Sequence, residues 1–131
     1  MYGLKKEFTI CCSHRLRNKT ATKAENFKCF GKCNDYHGHN YKITLTFKKK
    51  DICPQTGMII NFNDIKRIFK IYIDDVYDHK ILNDIPPFDK VIPTAENMCK
   101  AFFDILKKEL LELSSVEIEE TEGASGIYME D

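Results

Sequence analysis

The stretch His37-Gly38-His39-Asn40-Tyr41-Lys42-Ile43-Thr44-Leu45-Thr46-Phe47 decides the fold. His37, His39, Tyr41, Ile43, Leu45 and Phe47 fall on one parity; Gly38, Asn40, Lys42, Thr44 and Thr46 fall on the other. Period-two alternation with β-branched and aromatic residues predicts a half-buried strand, here over His39–Lys49. Neighbouring side chains of a strand point to opposite faces, so His37 and His39 share a face, and it is the apolar one. Upstream, Phe8, Ile10, Cys12 and His14 share one parity of a strand predicted over Glu7–His14, with Glu7, Thr9, Cys11 and Ser13 on the other. His14 thus ends the inward face of that strand. If the two strands pair, three imidazoles converge. Such a set holds a zinc ion and leaves a coordination position free for substrate. Histidines at strand ends are ordinarily hydrogen-bonded or solvated. A third inward His and the nearby Cys33 favour the metal.

Outward from these strands, Ser115–Thr121 and Ser125–Met129 read as a hairpin turning at Glu122-Gly123-Ala124. Two helices lie between the strand pairs. The first covers Asn63–Asp75, with Ile65, Ile68, Phe69, Tyr72, Ile73 and Val76 at helical spacing. The second follows Pro93, with Thr94 as N-cap and Glu96 in its first turn. The polar loop Arg15–Tyr36 carries a helical turn at Ala21–Phe27. Cys53–Gly57 is turn chemistry, followed by a short extended run at Met58–Ile60. This order predicts one α+β domain, residues 1–131: a four-stranded antiparallel sheet with two helices on one face. Two open sheet edges remain, and edge-to-edge assembly into a closed ring is one way to cover them.

The chain has 131 residues with 20 basic and 20 acidic side chains, so no net field draws it to nucleic acid or an anionic membrane. No apolar stretch approaches membrane-spanning length, and no apolar signal region follows Met1–Lys6. A soluble, cytoplasmic protein is the expectation. The six cysteines then read as reduced thiols: Cys11 and Cys12 point to opposite faces, and Cys99 sits in a helix.

Three further groups carry chemistry. Cys33 lies four residues before His37 and can serve as general base, nucleophile or fourth zinc ligand, or be an inert buried thiol. Asp78 directly precedes His79, and a carboxylate can fix the tautomer and raise the basicity of an imidazole. Glu120 shares a face with Val116 and Ile118, where an unpaired carboxylate is costly. It is a candidate ligand anchor, or a strand-end Glu reaching water.

Taken together, Phe8-x5-His14-Arg15-Leu16, Phe30-Gly31-Lys32-Cys33-Asn34, His37-Gly38-His39-Asn40-Tyr41, Asn61-x2-Asp64-x-Lys66, Asp78-His79-Lys80-x-Leu82, Pro93-Thr94-x-Glu96-Asn97 and Glu120-Thr121 resemble the 6-pyruvoyl tetrahydropterin synthase / 6-carboxytetrahydropterin synthase family. The resemblance spans nearly the whole chain, in family order. It implies a T-fold assembled as two stacked trimers, a homohexamer with a barrel-like sheet. It implies zinc on His14, His37 and His39, a catalytic trio of Cys33, Asp78 and His79, a pterin ring anchored by Glu120, and a pocket lined by Thr94 and Glu96. The pockets of this family form between subunits. The implied reaction is a zinc-dependent lyase step on 7,8-dihydroneopterin triphosphate, giving 6-pyruvoyl tetrahydropterin for tetrahydrobiopterin synthesis, with no redox cofactor. One departure bears on the product. Three residues, Asn34-Asp35-Tyr36, separate Cys33 from His37, the spacing typical of bacterial 6-carboxytetrahydropterin synthases of the queuosine pathway; the eukaryotic enzymes usually have five. The alternatives are therefore that carboxy-forming enzyme and a catalytically silent pterin- or zinc-binding module.

Overall fold

The computed structural model describes residues 1–131. Strands β1 (Tyr2–His14), β2 (His37–Lys49), β3 (Leu113–Thr121) and β4 (Ala124–Met129) form one antiparallel sheet in chain order. The pairing of β1 with β2 sets His14 opposite His37 and Cys12 opposite His39. Side chains directly opposite on one face lie close together. This register alone therefore gathers the three histidines.

β1 begins five residues earlier than the alternation predicts. Tyr2 to Lys6 have too many charged and exposed side chains to read as a strand, but the long β2 supplies backbone partners as far as Lys49. β2 likewise includes His37 and Gly38. The run Met58–Ile60 is not a strand; it folds back so that the Cys53 amide donates to the Met58 carbonyl at 3.0 Å.

Four α-helical segments occur, α1 (Lys23–Phe30), α2 (Phe62–Phe69), α3 (Asp75–Tyr77) and α4 (Ala95–Lys107). The predicted helix over Asn63–Asp75 is α2 and α3 joined by a wider π-turn, Lys70–Asp74. Around that turn Ile73 and Tyr77 face the core, while Tyr72, expected in the apolar stripe, is exposed. The predicted turn at Ala21–Phe27 is a full helix, α1. It is held by a reciprocal box: the Thr22 hydroxyl accepts from the Glu25 amide, and the Glu25 carboxylate accepts from the Thr22 amide. Gly31, at φ 56°, ends α1 in a conformation that favours glycine.

The core lies between the inner face of the sheet and the helices α2 to α4. Ile10, Ile43, Leu45, Phe47, Val116 and Ile118 meet Ile65, Phe69, Ile73, Met98, Phe102 and Leu106, all buried. Full burial of each aliphatic or aromatic side chain stabilises the fold by about 1.5–3 kcal/mol. Phe8 stacks on Phe69 with ring centroids 3.9 Å apart.

Two local features place the site. Gly126 lets the start of α4 lie directly on β4: a Cβ there would come within 3.0 Å of the Ala95 carbonyl carbon. Glu119 pairs with Ser125 and Thr121 with Ala124, so Glu120 is an extra, unpaired residue in β3. Such a bulge re-aims the side chain it carries.

Candidate metal and catalytic site

The three histidines are held by different elements and offer the same atom to one point. His14 is completely buried, and its Nδ1 lies 2.8 Å from the Pro93 carbonyl, just before α4. The His37 Nδ1 lies 2.7 Å from the Asp35 carbonyl. A carbonyl only accepts, so both rings carry their proton on Nδ1 and leave Nε2 as a bare lone pair. The Nε2 atoms of His14, His37 and His39 are all buried without a hydrogen-bond partner. Their ring centroids stand 4.5, 5.1 and 4.9 Å apart. One ring nitrogen from each of the three histidines and a Glu120 carboxylate oxygen all lie within 4.8 Å of one another.

A buried acceptor left without a partner costs about 1–3 kcal/mol. Three aimed at one another make sense only around something that takes lone pairs. Burial lowers the pKa of His14, outweighing the Pro93 carbonyl and Glu120, which raise it; burial also lowers that of His39, against Glu120. Neutral imidazoles are what a metal requires. Locked tautomers held by carbonyl partners are the usual outer support of metal-binding histidines. The donor set therefore fits a metal ion.

The remaining predicted residues are placed differently. Cys33 is half-buried in the 3₁₀ turn Gly31–Asn34. Its carbonyl accepts the Leu16 amide at 2.8 Å, and Arg15 grips Asn34 through its carbonyl (2.8 Å) and side-chain oxygen (3.3 Å). The Cys33 thiol is not one of the converging donors. The His79 Nδ1 lies 2.8 Å from the Asp78 Oδ2. Desolvation raises the Asp78 pKa, but hydrogen bonds from the Cys11 amide and His79 prevail and lower it. The segment covers part of the outer edge of β1: the His79 amide donates to the Cys11 carbonyl (2.6 Å), and the Ser13 amide to the Lys80 carbonyl (3.0 Å). Cys11 is three residues, roughly 10 Å of strand, from His14. The His79 side chain is 80% exposed there, at positive φ. Neither Asp78 nor His79 is among the converging donors of the histidine cluster. Thr94 caps α4, its hydroxyl accepting the Asn97 amide at 3.2 Å, and Glu96 is exposed in the first turn. Both adjoin Pro93, the partner of His14.

Sequence reasoning missed the two carbonyl partners, Asp35 and Pro93, because a backbone acceptor leaves no mark in residue type. It also passed over Tyr41. This ring packs edge-on against His14 and His39, at 5.8 and 5.3 Å, and its buried hydroxyl has no partner. Burial raises its pKa strongly. Its parity, two residues beyond His39, was the available signal.

The family model described as 6-pyruvoyl tetrahydropterin synthase matches residues 3–131. The chain belongs to the 6-pyruvoyl tetrahydropterin synthase family. The human 6-pyruvoyl tetrahydrobiopterin synthase is 38% identical over 128 residues, covering 94% of this chain and 88% of the human one. The Dictyostelium discoideum protein of the same name is 38% identical over 121 residues, covering 88% and 87%. The structure of Caenorhabditis elegans 6-pyruvoyl tetrahydropterin synthase superposes with a TM-score of 0.93 at 29% identity, covering 99% of this chain and 96% of that one. The T-fold expected for a member of the family is thus the fold observed.

Proposed function

We propose that this chain is the lyase that converts 7,8-dihydroneopterin triphosphate to 6-pyruvoyl tetrahydropterin with loss of triphosphate, and that it works in the cytoplasm. One observation carries the reading: three buried, unpartnered imidazole nitrogens converge beside a carboxylate on a family fold. The names of the relatives, 6-pyruvoyl tetrahydrobiopterin synthases, support the pyruvoyl product. No helix is long and apolar enough to cross a membrane.

His14, His37 and His39 would hold zinc, for which neutral imidazole donors are well suited. When bound, the ion supplies Lewis acidity to the side-chain oxygens and acidifies the adjacent C–H bonds. The chain's own groups do the rest. Cys33, as thiolate, takes the proton from the side chain. His79 returns it through Nε2, because Asp78 engages Nδ1. Glu120 pairs with the guanidine-like edge of the pterin through two hydrogen bonds. Thr94 and Glu96, at the start of α4, line the pocket. Oxidation of the side chain is balanced by reduction of the ring, so no external redox cofactor enters.

The exposure of the His79 side chain, on the segment laid along the outer side of β1, supports a pocket completed by a second chain, within a homohexamer of two trimers. The three-residue spacing between Cys33 and His37 favours a second reading, in which the same site releases the side-chain fragment and leaves 6-carboxytetrahydropterin. Product analysis with zinc-loaded protein and dihydroneopterin triphosphate tests both: pyruvoyl product supports the first reading, carboxy product replaces it with the second, and no turnover rejects both.

A further inference from the structure

Cys33 rides on the short turn Gly31–Asn34, which the Asp35 amide closes onto the Lys32 carbonyl at 3.0 Å. Such 3₁₀ turns have poorer hydrogen-bond geometry than an α-helix, so contacts from outside matter to where the thiol stands. Here they come from the two residues that follow His14. The Leu16 amide donates to the Cys33 carbonyl at 2.8 Å. The Arg15 guanidinium closes on Asn34, its Nε donating to the carbonyl at 2.8 Å and its Nη2 to the side-chain oxygen at 3.3 Å. Its Cζ also lies 5.1 Å from the centre of the Tyr36 ring. These partners are uncharged, so Arg15 acts here as a rigid fork of donors rather than as half of an ion pair.

Arg15 is itself held. Its amide donates to the Asn83 side-chain oxygen at 2.9 Å, and the Asn83 side-chain nitrogen donates to the Arg15 carbonyl at 3.0 Å. One side chain thus satisfies both backbone groups of Arg15, as a neighbouring strand would. Asn83 belongs to the segment that carries Asp78 and His79 along β1, and buried Leu82 anchors it beside the core. The bonds form a chain from that segment, across the end of β1, to the turn bearing Cys33.

We infer that Arg15 is a positioning residue for Cys33, and that Asn83 is the residue that fixes Arg15. The clamp concerns this chain alone; its effect on turnover rests on the proposed function, in which Cys33 is the base. Misplacing a reacting group by about 1 Å can cost roughly 10²-fold in rate. Lysine is no substitute for Arg15, because one ammonium on a flexible stem does not hold both Asn34 oxygens in a fixed geometry.

The test uses full-length, zinc-loaded protein carrying Arg15→Lys, Asn83→Ala, Cys33→Ala, or Arg15→Lys together with Cys33→Ala. Amide hydrogen exchange reads the clamp without substrate: the Leu16 and Asp35 amides should lose protection in Arg15→Lys and in Asn83→Ala. With 7,8-dihydroneopterin triphosphate, Arg15→Lys should lower kcat by about 10–100-fold while KM and zinc content stay at wild-type values. Asn83→Ala should act in the same direction, and it decides the matter if Arg15→Lys fails to fold. Added to Cys33→Ala, Arg15→Lys should cause no further loss, because it acts through the thiol. Wild-type protection of both amides in Arg15→Lys overturns the proposal. So does a loss of kcat as large without Cys33 as with it. If wild type turns over no pterin, the proposed function falls and exchange alone decides the clamp: lost protection sustains it, and wild-type protection overturns it.

Discussion

His14 uses its two ring nitrogens differently: Nδ1 donates to the Pro93 carbonyl, while Nε2, like those of His37 and His39, is buried without a partner. Replacing His37 with Ala should abolish stoichiometric zinc after dialysis against a weak chelator; full retention would remove this residue from the ligand set. Cys33 lies outside the converging donors. Cys33→Ala should therefore keep its zinc and lose activity by a factor on the order of 10²–10⁴, as expected for a general base. Loss of zinc instead would make Cys33 a ligand, and full activity would leave it no role. The pH dependence follows from burial. His14 and His39 have pKa values lowered below 6.5, so the unfolded chain binds protons that the folded one refuses. Their contribution to stability is present above about pH 6.5 and lost as pH falls toward the depressed values. The metal-free protein should melt at a lower temperature at pH 5.5 than at pH 7.5. Equal melting temperatures would show that burial does not hold these rings neutral.

At the scale of elements, the position of α4 links the sheet to the histidine cluster, since the Pro93 carbonyl just before its Thr94 cap holds His14. Gly126→Ala would push a methyl into Ala95 and Glu96. It should cost about 1–3 kcal/mol in denaturant unfolding, typical of overpacking, and weaken zinc binding as Pro93 shifts. An unchanged midpoint and affinity would show that the contact relaxes freely. The four strands were legible because inward and outward residues alternate, and the same parity put His14, His37 and His39 on the inward face. α1 was read only as a turn because it has no apolar stripe; it stands on the Thr22–Glu25 box and on buried Asn26, whose side chain bonds the Asn18, Ala21 and Thr22 backbone. The π-turn of Lys70–Asp74 leaves no signature in residue type. The bulge at Glu120 is equally invisible in residue type; parity assigns the residue a face but not its closeness to His39.

For the whole molecule, the sheet ends in two edges, and the segment along the outer side of β1 carries the His79 side chain into solvent, outside the converging donors. A pocket shared between chains follows if Cys33 and His79 act together. Light scattering at micromolar concentration should give a mass near six chains, and an active monomer would contradict this. Mixed oligomers of Cys33→Ala and His79→Ala chains should recover activity that neither parent has; no recovery would assign both groups to one chain's pocket. The central claim is the zinc-dependent pterin chemistry itself, and product analysis tests it most directly. Zinc-loaded protein incubated with 7,8-dihydroneopterin triphosphate should release triphosphate and form 6-pyruvoyl tetrahydropterin, with both lost in the zinc-free protein. Formation of 6-carboxytetrahydropterin, or no product from fully zinc-loaded oligomer, would contradict the account.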